Sequence, residues 1–520
     1  MSRVSLQNVS VIYGQTLFQD LSFSFGAGDH IGIVGNNGAG KSTLLKCIAG
    51  LVEPTAGVIS VPRSWRIEYV DQDIPANLLE MSLQQAATSA LSEDDRHAHA
   101  WRADVVLGDF GAGEELMARN VGELSGGWQR LAMLARAWVA DPDLLVVDEP
   151  TNHLDLAKIV MLETWFKEQL SNTAVAVVSH DRRFLDRCTT TTLFIRPSES
   201  RYYGKPYSRA REILLEDDRA IELKRDRDQR ELGRLQKSAH ELRQIGVNKH
   251  SEDALRKSIQ IAKRAEAIKD AMPDGHTERR RDITLSRRDT HAKRLIGLKD
   301  VVVESPAGHK LFAISNLDIN QGDRVVVLGR NGTGKTCFVQ KLRIAFNEPG
   351  SARQQGVQIA PSTVVGYIDQ HMSQLPRADS LRDYINGAFK TGDQRATSVL
   401  AQSGFSFDQQ TTKIGMLSPG EMSRLAFLAL RLTHPSFYLM DEPTNNLDIA
   451  GQESLETEIL DSAATAIIVS HDRAFVENVG TRFLVIEGAR LLEIDRPHPF
   501  YQSLINDELV SQLAPKVVVR

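Results

Sequence analysis

Short apolar runs recur along this chain, each ending in a glycine-rich or acidic turn. His30, Ile31, Gly32, Ile33 and Val34 lead into one glycine-rich stretch, and Arg324, Val325, Val326, Val327 and Leu328 lead into another. Runs this short, without polar alternation, predict strands buried on both faces, as in a parallel sheet. Leu44 and Leu45, and Cys337, Phe338 and Val339, open a predicted helix behind each. Further apolar strands end at Asp148, at Asp441, and in the serines before His180 and His471. The middle of the chain changes period. Leu232, Leu235, Ala239 and Leu242, then Leu255, Ile259, Ala262, Ala265 and Ile268, fall at spacings of three and four. That spacing predicts one apolar stripe on each of two helices. Gly246, Val247, Asn248, Lys249 and His250 form a helix-poor stretch between them, and Met272, Pro273, Asp274 and Gly275 stop the second. The expectation is an antiparallel helical hairpin seamed by the stripes.

The chain also repeats itself. GNNGAGKS at 35–42 recurs as GRNGTGKT at 329–336, and LSGGW at 124–128 as LSPGE at 417–421. DEPTNHLD ending at Asp155 recurs as DEPTNNLD ending at Asp448, and VSHDR at 178–182 as VSHDR at 469–473. The offsets are 294, 293, 293 and 291 residues, in one order. A constant long offset marks a duplicated domain, and excludes a solenoid of 20- to 50-residue repeats. The expected division is 1–203, a hairpin at 204–295, and 296–520: two α/β domains joined by an antiparallel α-helical linker.

Composition sharpens this. With 42% hydrophobic and 25% charged residues, the 520-residue chain is ordinary for a globular protein. No apolar run approaches the ~18 residues of a membrane span. The first residues show no signal peptide, and little chain follows Arg496. Three cysteines (Cys47, Cys188, Cys337) give no disulfide framework and fit a reducing cytosol. The net charge of −5 argues against wholesale coating of nucleic acid, yet it hides a split. Residues 201–294 hold 25 Lys and Arg against 17 Asp and Glu, a net of +8, while the remainder, 37 against 50, carries −13. On composition alone the hairpin reads as a spacer with a solvated charged surface.

The repeated motifs carry the chemistry. GxxxxGK[ST] is a phosphate-binding loop, whose glycines let backbone N–H groups and a helix N-terminus face an anion. It comprises Gly35, Asn36, Asn37, Gly38, Ala39, Gly40, Lys41, Ser42 and Thr43 in one copy. Gly329, Arg330, Asn331, Gly332, Thr333, Gly334, Lys335 and Thr336 form the other. Lys41 and Lys335 would reach the β- and γ-phosphates, and Ser42 and Thr336 would offer a hydroxyl to Mg²⁺. Asp148 and Asp441 would hold the same cation, directly or through water. Glu149 and Glu442 follow at once, placed to orient or deprotonate a water; otherwise these acids only complete an ion-binding rim. His180 and His471 would hydrogen-bond a γ-phosphate, whereas a lone histidine is more often structural. Gln72 and Gln370, in matching Tyr-x-Asp-Gln contexts, would ligate Mg²⁺ or position water.

Phosphate loop, LSGG-type signature, DEPTN and SHD together resemble the ATP-binding cassette ATPases, over all but the middle segment. The resemblance implies two cassettes docked head to tail, with each ATP between one phosphate loop and the opposite signature. The first site would then join residues 35–42, Asp148 and Glu149 with Ser418, Pro419 and Gly420. The second would join residues 329–336, Asp441 and Glu442 with Ser125, Gly126 and Gly127. Asp155 and Asp448 would lie at the seam. Tyr13, 22 residues before Gly35, would stack on adenine; its counterpart is Ala307. Pro419 replaces the usual first signature glycine and removes an N–H donor. These departures imply unequal sites. Two cassettes, no membrane span and a charged helical linker look like the ABC-F subfamily. That implies a cytoplasmic, monomeric chain whose hairpin meets the ribosome, its rRNA and tRNA. The alternatives are the ATPase subunit of a transporter, a DNA-maintenance ATPase, and a nucleotide-gated factor acting on another protein. Nothing in the linker calls for the first. Dispersed cysteines and a short hairpin argue against the second.

Overall fold

The computed structural model describes residues 3–92, 95, 99–249, 251–272, 283–285 and 292–504. His250 and Pro273, Asp274 and Gly275, expected at the hairpin turn and the second helix stop, lie outside them. So do residues 1–2 and 505–520 at the outer ends of the two expected domains.

In the first unit, β1 (Arg3–Tyr13), β2 (Gln15–Gly26) and β4 (Ala56–Ser60) form a three-stranded antiparallel sheet in the order β2-β1-β4. A second sheet contains β3 (His30–Gly35), β5 (Ile67–Val70), β6 (Leu144–Asp148), β7 (Ala174–Val178), β8 (Thr191–Ile195) and β9 (Arg201–Tyr203). Its order is β5-β6-β7-β3-β8-β9, parallel except for the β8–β9 pair. The second unit runs through β10 (Arg294–Glu304), β11 (Lys310–Asn320), β12 (Arg324–Leu328), β13 (Val357–Ile359), β14 (Val365–Ile368), β15 (Phe437–Asp441), β16 (Ala466–Val469), β17 (Arg482–Glu487) and β18 (Arg490–Ile494). Its parallel core β14-β15-β16-β12-β17 repeats the order of the first. Here one contact, Ala313 beside Arg490, fuses the two sheets into nine strands.

The predicted apolar strands sit where their pattern demands. β6, β7, β15 and β16 are buried at every residue, because helices cover both faces of a parallel sheet. The loop, the acids and the histidines all leave the carboxyl ends of these strands, which is where open α/β sheets build ligand sites.

Between the units stands the hairpin: one helix over Tyr207–Asn248 and a second over Glu252–Ala271. The first helix carries on through Gly246, so the helix-poor reading of 246–248 is corrected. The break falls after Lys249, and Ser251 caps the second helix by accepting from the Ala254 N–H. The stripe on the second helix is also corrected. Ala254, Ser258 and Ala265 are buried, while Ile259 is 59% exposed and Ala262 faces solvent. A seam at 254, 258, 261, 265 and 268 has the same three-four spacing, and its small residues allow the helices to approach closely. Arg264 bridges to Glu231 across the pair at 2.9 Å.

The hairpin root is tied to both units. Tyr207, Ala210 and Leu214 enter the first unit's core. The Tyr207 hydroxyl donates to Glu453 of the second unit at 3.0 Å, and Arg211 pairs with the same carboxylate at 2.8 Å.

Candidate functional site

Each phosphate loop turns through glycines at positive φ into its helix. Gly40 (φ 91°) and Gly334 (φ 101°) cap Lys41–Ile48 and Lys335–Asn347. A Cβ on Gly334 would come within 2.8 Å of Leu311 Cδ1, which would have to shift, but it is the positive φ that chiefly calls for glycine there. Both lysines are buried and fold back over their loops. Lys41 Nζ donates to the Gly35 carbonyl at 2.8 Å, and Lys335 Nζ to the Gly329 carbonyl at 2.8 Å.

The strand ends bring the expected acids to the loops. The Ser42 hydroxyl donates to Asp148, and the Thr336 hydroxyl to Asp441. Burial raises both aspartates against those hydrogen bonds, Asp441 to about 6. Among the described residues no group of three His, Cys, Asp or Glu could hold a metal. A cation held by one hydroxyl, one carboxylate and a nearby glutamine must complete its shell with phosphate and water, which suits Mg²⁺. Gln72 and Gln370 line the same cavity.

Glu149 and Glu442 have φ of 51° and 53°, a left-handed conformation rare outside glycine. Burial pushes each carboxyl up to about 7, opposed by the neighbouring lysine and by the N–H of the following histidine turn. That N–H, of His180 or His471, donates to Oε2 at 3.1 or 3.2 Å. Oε1 of each glutamate is buried without a hydrogen bond, although the ring Nε2 of its histidine stands 3.1 or 3.4 Å away. Burial and the Lys335 charge push His471 down to about 4, so its ring is neutral at pH 7.

A cavity of about 1400 Å³ joins the two units. It is lined by Lys41, Ser42, Asp148, Glu149 and His180 on one side and by Lys335, Thr336, Asp441, Glu442 and His471 on the other, with Ser418, Pro419 and Gly420. The first loop meets the second unit directly. Asn37 N–H donates to Asp448 at 2.8 Å, and Asn37 Nδ2 to the Asn446 carbonyl at 3.4 Å. Asp155 in turn acts electrostatically on Lys335 and His471. Ser125, Gly126 and Gly127 start the helix Gly126–Val139 but are not among the cavity-lining residues; Gly126 and Gly127 pack against His153 of their own unit. Tyr13, at the end of β1, is 60% exposed and does not line the cavity, whereas Leu17 does.

Sequence reasoning passed over two features. Arg130, on the first signature helix, is 5% exposed. Its guanidinium donates to the carbonyls of Asp71 and Asp148, and to Gln72 at 3.5 Å. It thus ties helix, glutamine loop and acidic strand end together, where the second unit has Ser423. Arg130→Met is expected to cut first-site hydrolysis about tenfold to a hundredfold with KM for ATP little changed, the loss of hydrogen bonds from a charged donor. Steady-state kinetics in a Glu442→Gln background would read it. An unchanged kcat with a lower melting temperature would assign Arg130 to packing alone.

The second feature is a crossing of charges at the seam. Arg182 pairs with Glu456 and, at 3.3 Å, with Asp472; Arg473 pairs with Glu163 and, at 3.6 Å, with Asp181. The signal was in the repeat itself, since each arginine follows its histidine by two residues. No side-chain pattern within one copy names its partner in the other.

The comparisons with known proteins agree with this geometry. The profile of the family described as "ABC transporter" matches residues 18–152 and 312–445. A probable ATP-binding protein, YbiT of Escherichia coli O157:H7, is 30% identical, over 95% of this chain and 98% of its own length. ABC transporter F family member 5 of Arabidopsis thaliana is 26% identical, over 99% of this chain and 81% of its own length. The crystal structure of an archaeal ribosome recycling factor, aABCE1, in complex with the ribosomal stalk protein aP1 is similar with a TM-score of 0.64. It covers 97% of this chain and 92% of its own at 20% identity, a likeness of fold. No helix among the described residues is long and apolar enough to cross a membrane. With paired phosphate loops, signatures and acidic strand ends in a duplicated α/β fold, the chain belongs to the ATP-binding cassette family as a tandem-cassette ATPase of the F type.

Proposed function

We propose that this ATPase is a cytoplasmic, monomeric switch that works on the ribosome, with units at 1–203, 204–295 and 296–520. The observation that carries this reading is the hairpin root: Tyr207 and Arg211 hold Glu453 of the opposite cassette while Ala210 and Leu214 sit in the first core. Any change in cassette spacing therefore moves the hairpin. Residues 201–294 carry a net of +8, of which the hairpin at 207–271 holds 16 Lys and Arg against 13 Asp and Glu, a net of +3, and these cations are the ones that would neutralise phosphates of rRNA or tRNA.

In the mechanism, ATP binds between a phosphate loop and the opposite signature. Loop amides and Lys41 or Lys335 hold the phosphates, and the signature helix N-terminus of the other cassette takes the γ-phosphate. Ser42, Asp148 and Gln72, and Thr336, Asp441 and Gln370, would hold Mg²⁺, which when bound neutralises phosphate charge. Glu149 and Glu442 accept a proton from the attacking water, and His180 and His471 contact the γ-phosphate. Shared contacts close the cassettes, and hydrolysis removes the shared group and lets them part.

A Glu149→Gln, Glu442→Gln double variant is expected to stay on ribosomes in the presence of ATP. Sucrose-gradient sedimentation reads this, and recovery only in the free fraction would sink the ribosomal reading. A complex that survives RNase would point instead to a protein partner.

A further inference from the structure

The two signatures differ in what their first helical turn holds. In the second, Glu421 closes a capping box on Ser418. Its Oε2 accepts from the Ser418 N–H at 2.9 Å and from the Ser418 hydroxyl at 2.7 Å, and the Glu421 N–H donates back to Ser418 Oγ at 3.4 Å. Its Oε1 accepts from Gln409 at 2.7 Å. Pro419 between them has no N–H to offer. Ser418 and Glu421 line the cavity with the first phosphate loop. A Cβ on Gly420 would point at Asn37 Nδ2 of that loop, 3.7 Å away. Burial pulls the Glu421 carboxyl up, but the Ser418 donors, Arg424 and Gln409 outweigh it and leave it below the ordinary carboxylate range. In the first signature the matching residue is Trp128, which lies under Lys158 at 5.1 Å, and Ser125 makes no side-chain cap bond.

We propose that Glu421 is an internal competitor for the γ-phosphate at the first site, its carboxylate occupying the Ser418 donors that the γ-phosphate needs. The inference rests on the composite-site reading above. Two anions cannot share one hydroxyl proton and one N–H without strong repulsion, so the carboxylate must leave Ser418 before ATP engages it. ADP lacks the γ-phosphate and never meets the competitor. Glu421 therefore sets how well the first site tells ATP from ADP. With Trp128 in its place, the second site has no such brake.

The test is a titration of the full chain carrying Lys335→Ala, which silences the second loop, with fluorescent N-methylanthraniloyl ATP and ADP in Mg²⁺. Glu421→Gln keeps the capping-box geometry, since glutamine also serves there, and removes the charge. ATP is expected to bind on the order of tenfold more tightly, with ADP unchanged. Unchanged or weaker ATP binding, or equal shifts for both nucleotides, overturns the proposal. Gly420→Asp in the same background separates the two readings. If it leaves ATP affinity untouched, the composite site itself falls, and the competitor with it. If it weakens ATP while Glu421→Gln fails to tighten it, the competitor alone falls.

Discussion

Replacing Glu149 and Glu442 together by glutamine is expected to lower steady-state ATP hydrolysis by about 10²–10⁴-fold, the range for removing a general base, while ATP binding persists. Glutamine keeps the size of each side chain and loses only the charge and the ability to take a proton. Both glutamates are held in left-handed backbone at a strand end, with one oxygen fixed by a histidine-turn N–H and the other buried without a hydrogen bond. The ring Nε2 of His180 or His471 stands 3.1 or 3.4 Å from that second oxygen, so carboxylate and imidazole together face the cavity where a water attacking the γ-phosphate would need a base. The single variants are expected to differ from each other. On the composite-site proposal, Pro419 and Glu421 would weaken the signature facing Lys41, whereas the other signature has Gly126 and Trp128 at those positions. Single-turnover hydrolysis and nucleotide affinity in each single variant would show this, and equal values in both would remove the claim of unequal sites.

Arg473→Met is expected to destabilise the chain by about 3–5 kcal/mol, the cost of stranding a buried charge. Arg473 is 4% exposed and Glu163, its partner, 2%. Removing the guanidinium leaves Glu163 with Arg187 at 2.9 Å and takes from Asp181 the charge that the other cassette supplies among the described residues. Adding Glu163→Leu should recover part of the loss, because Arg187, the half-exposed partner that remains, leaves the buried carboxylate only partly compensated. By contrast, Arg183→Ala breaks a half-exposed pair with Glu477 and should cost at most about 1 kcal/mol. Denaturant unfolding of the three variants reads the set. An Arg473→Met loss no larger than that of Arg183→Ala would show that the crossing carries no weight.

Much of this molecule could be read from its sequence, and the reason is chemical. A phosphate loop needs glycines, a lysine and a hydroxyl at fixed spacing, so 35–42 and 329–336 declare themselves, and duplication supplies an internal check. The apolar runs at 144–147 and 437–440 could belong only to covered strands. The hairpin seam was less legible. Periodicity of three and four is satisfied by two overlapping registers, and a choice between Ile259 and Ser258 depends on which small residues let the partner helix close in. Gly246 costs a helix about 1 kcal/mol, which a 42-residue helix absorbs. Contacts between distant segments were hidden altogether. Nothing local says that Arg130 will lie behind Asp148, or that Arg182 will find Glu456.

The hairpin also has a mechanical meaning. A helix over Tyr207–Asn248 rises about 60 Å from its root. A tilt of about 10° at the root, modest for a domain rotation, carries the far end roughly 10 Å sideways. Glu453 grips Tyr207 and Arg211 within the first two turns of that helix, so the cassettes push on the short end of a lever. A displacement of an ångström or so at the seam would become a stroke several times larger at Asn248, delivered with proportionately less force. On the ribosomal proposal, such an arm would suit biasing which of two nearly balanced arrangements its target adopts.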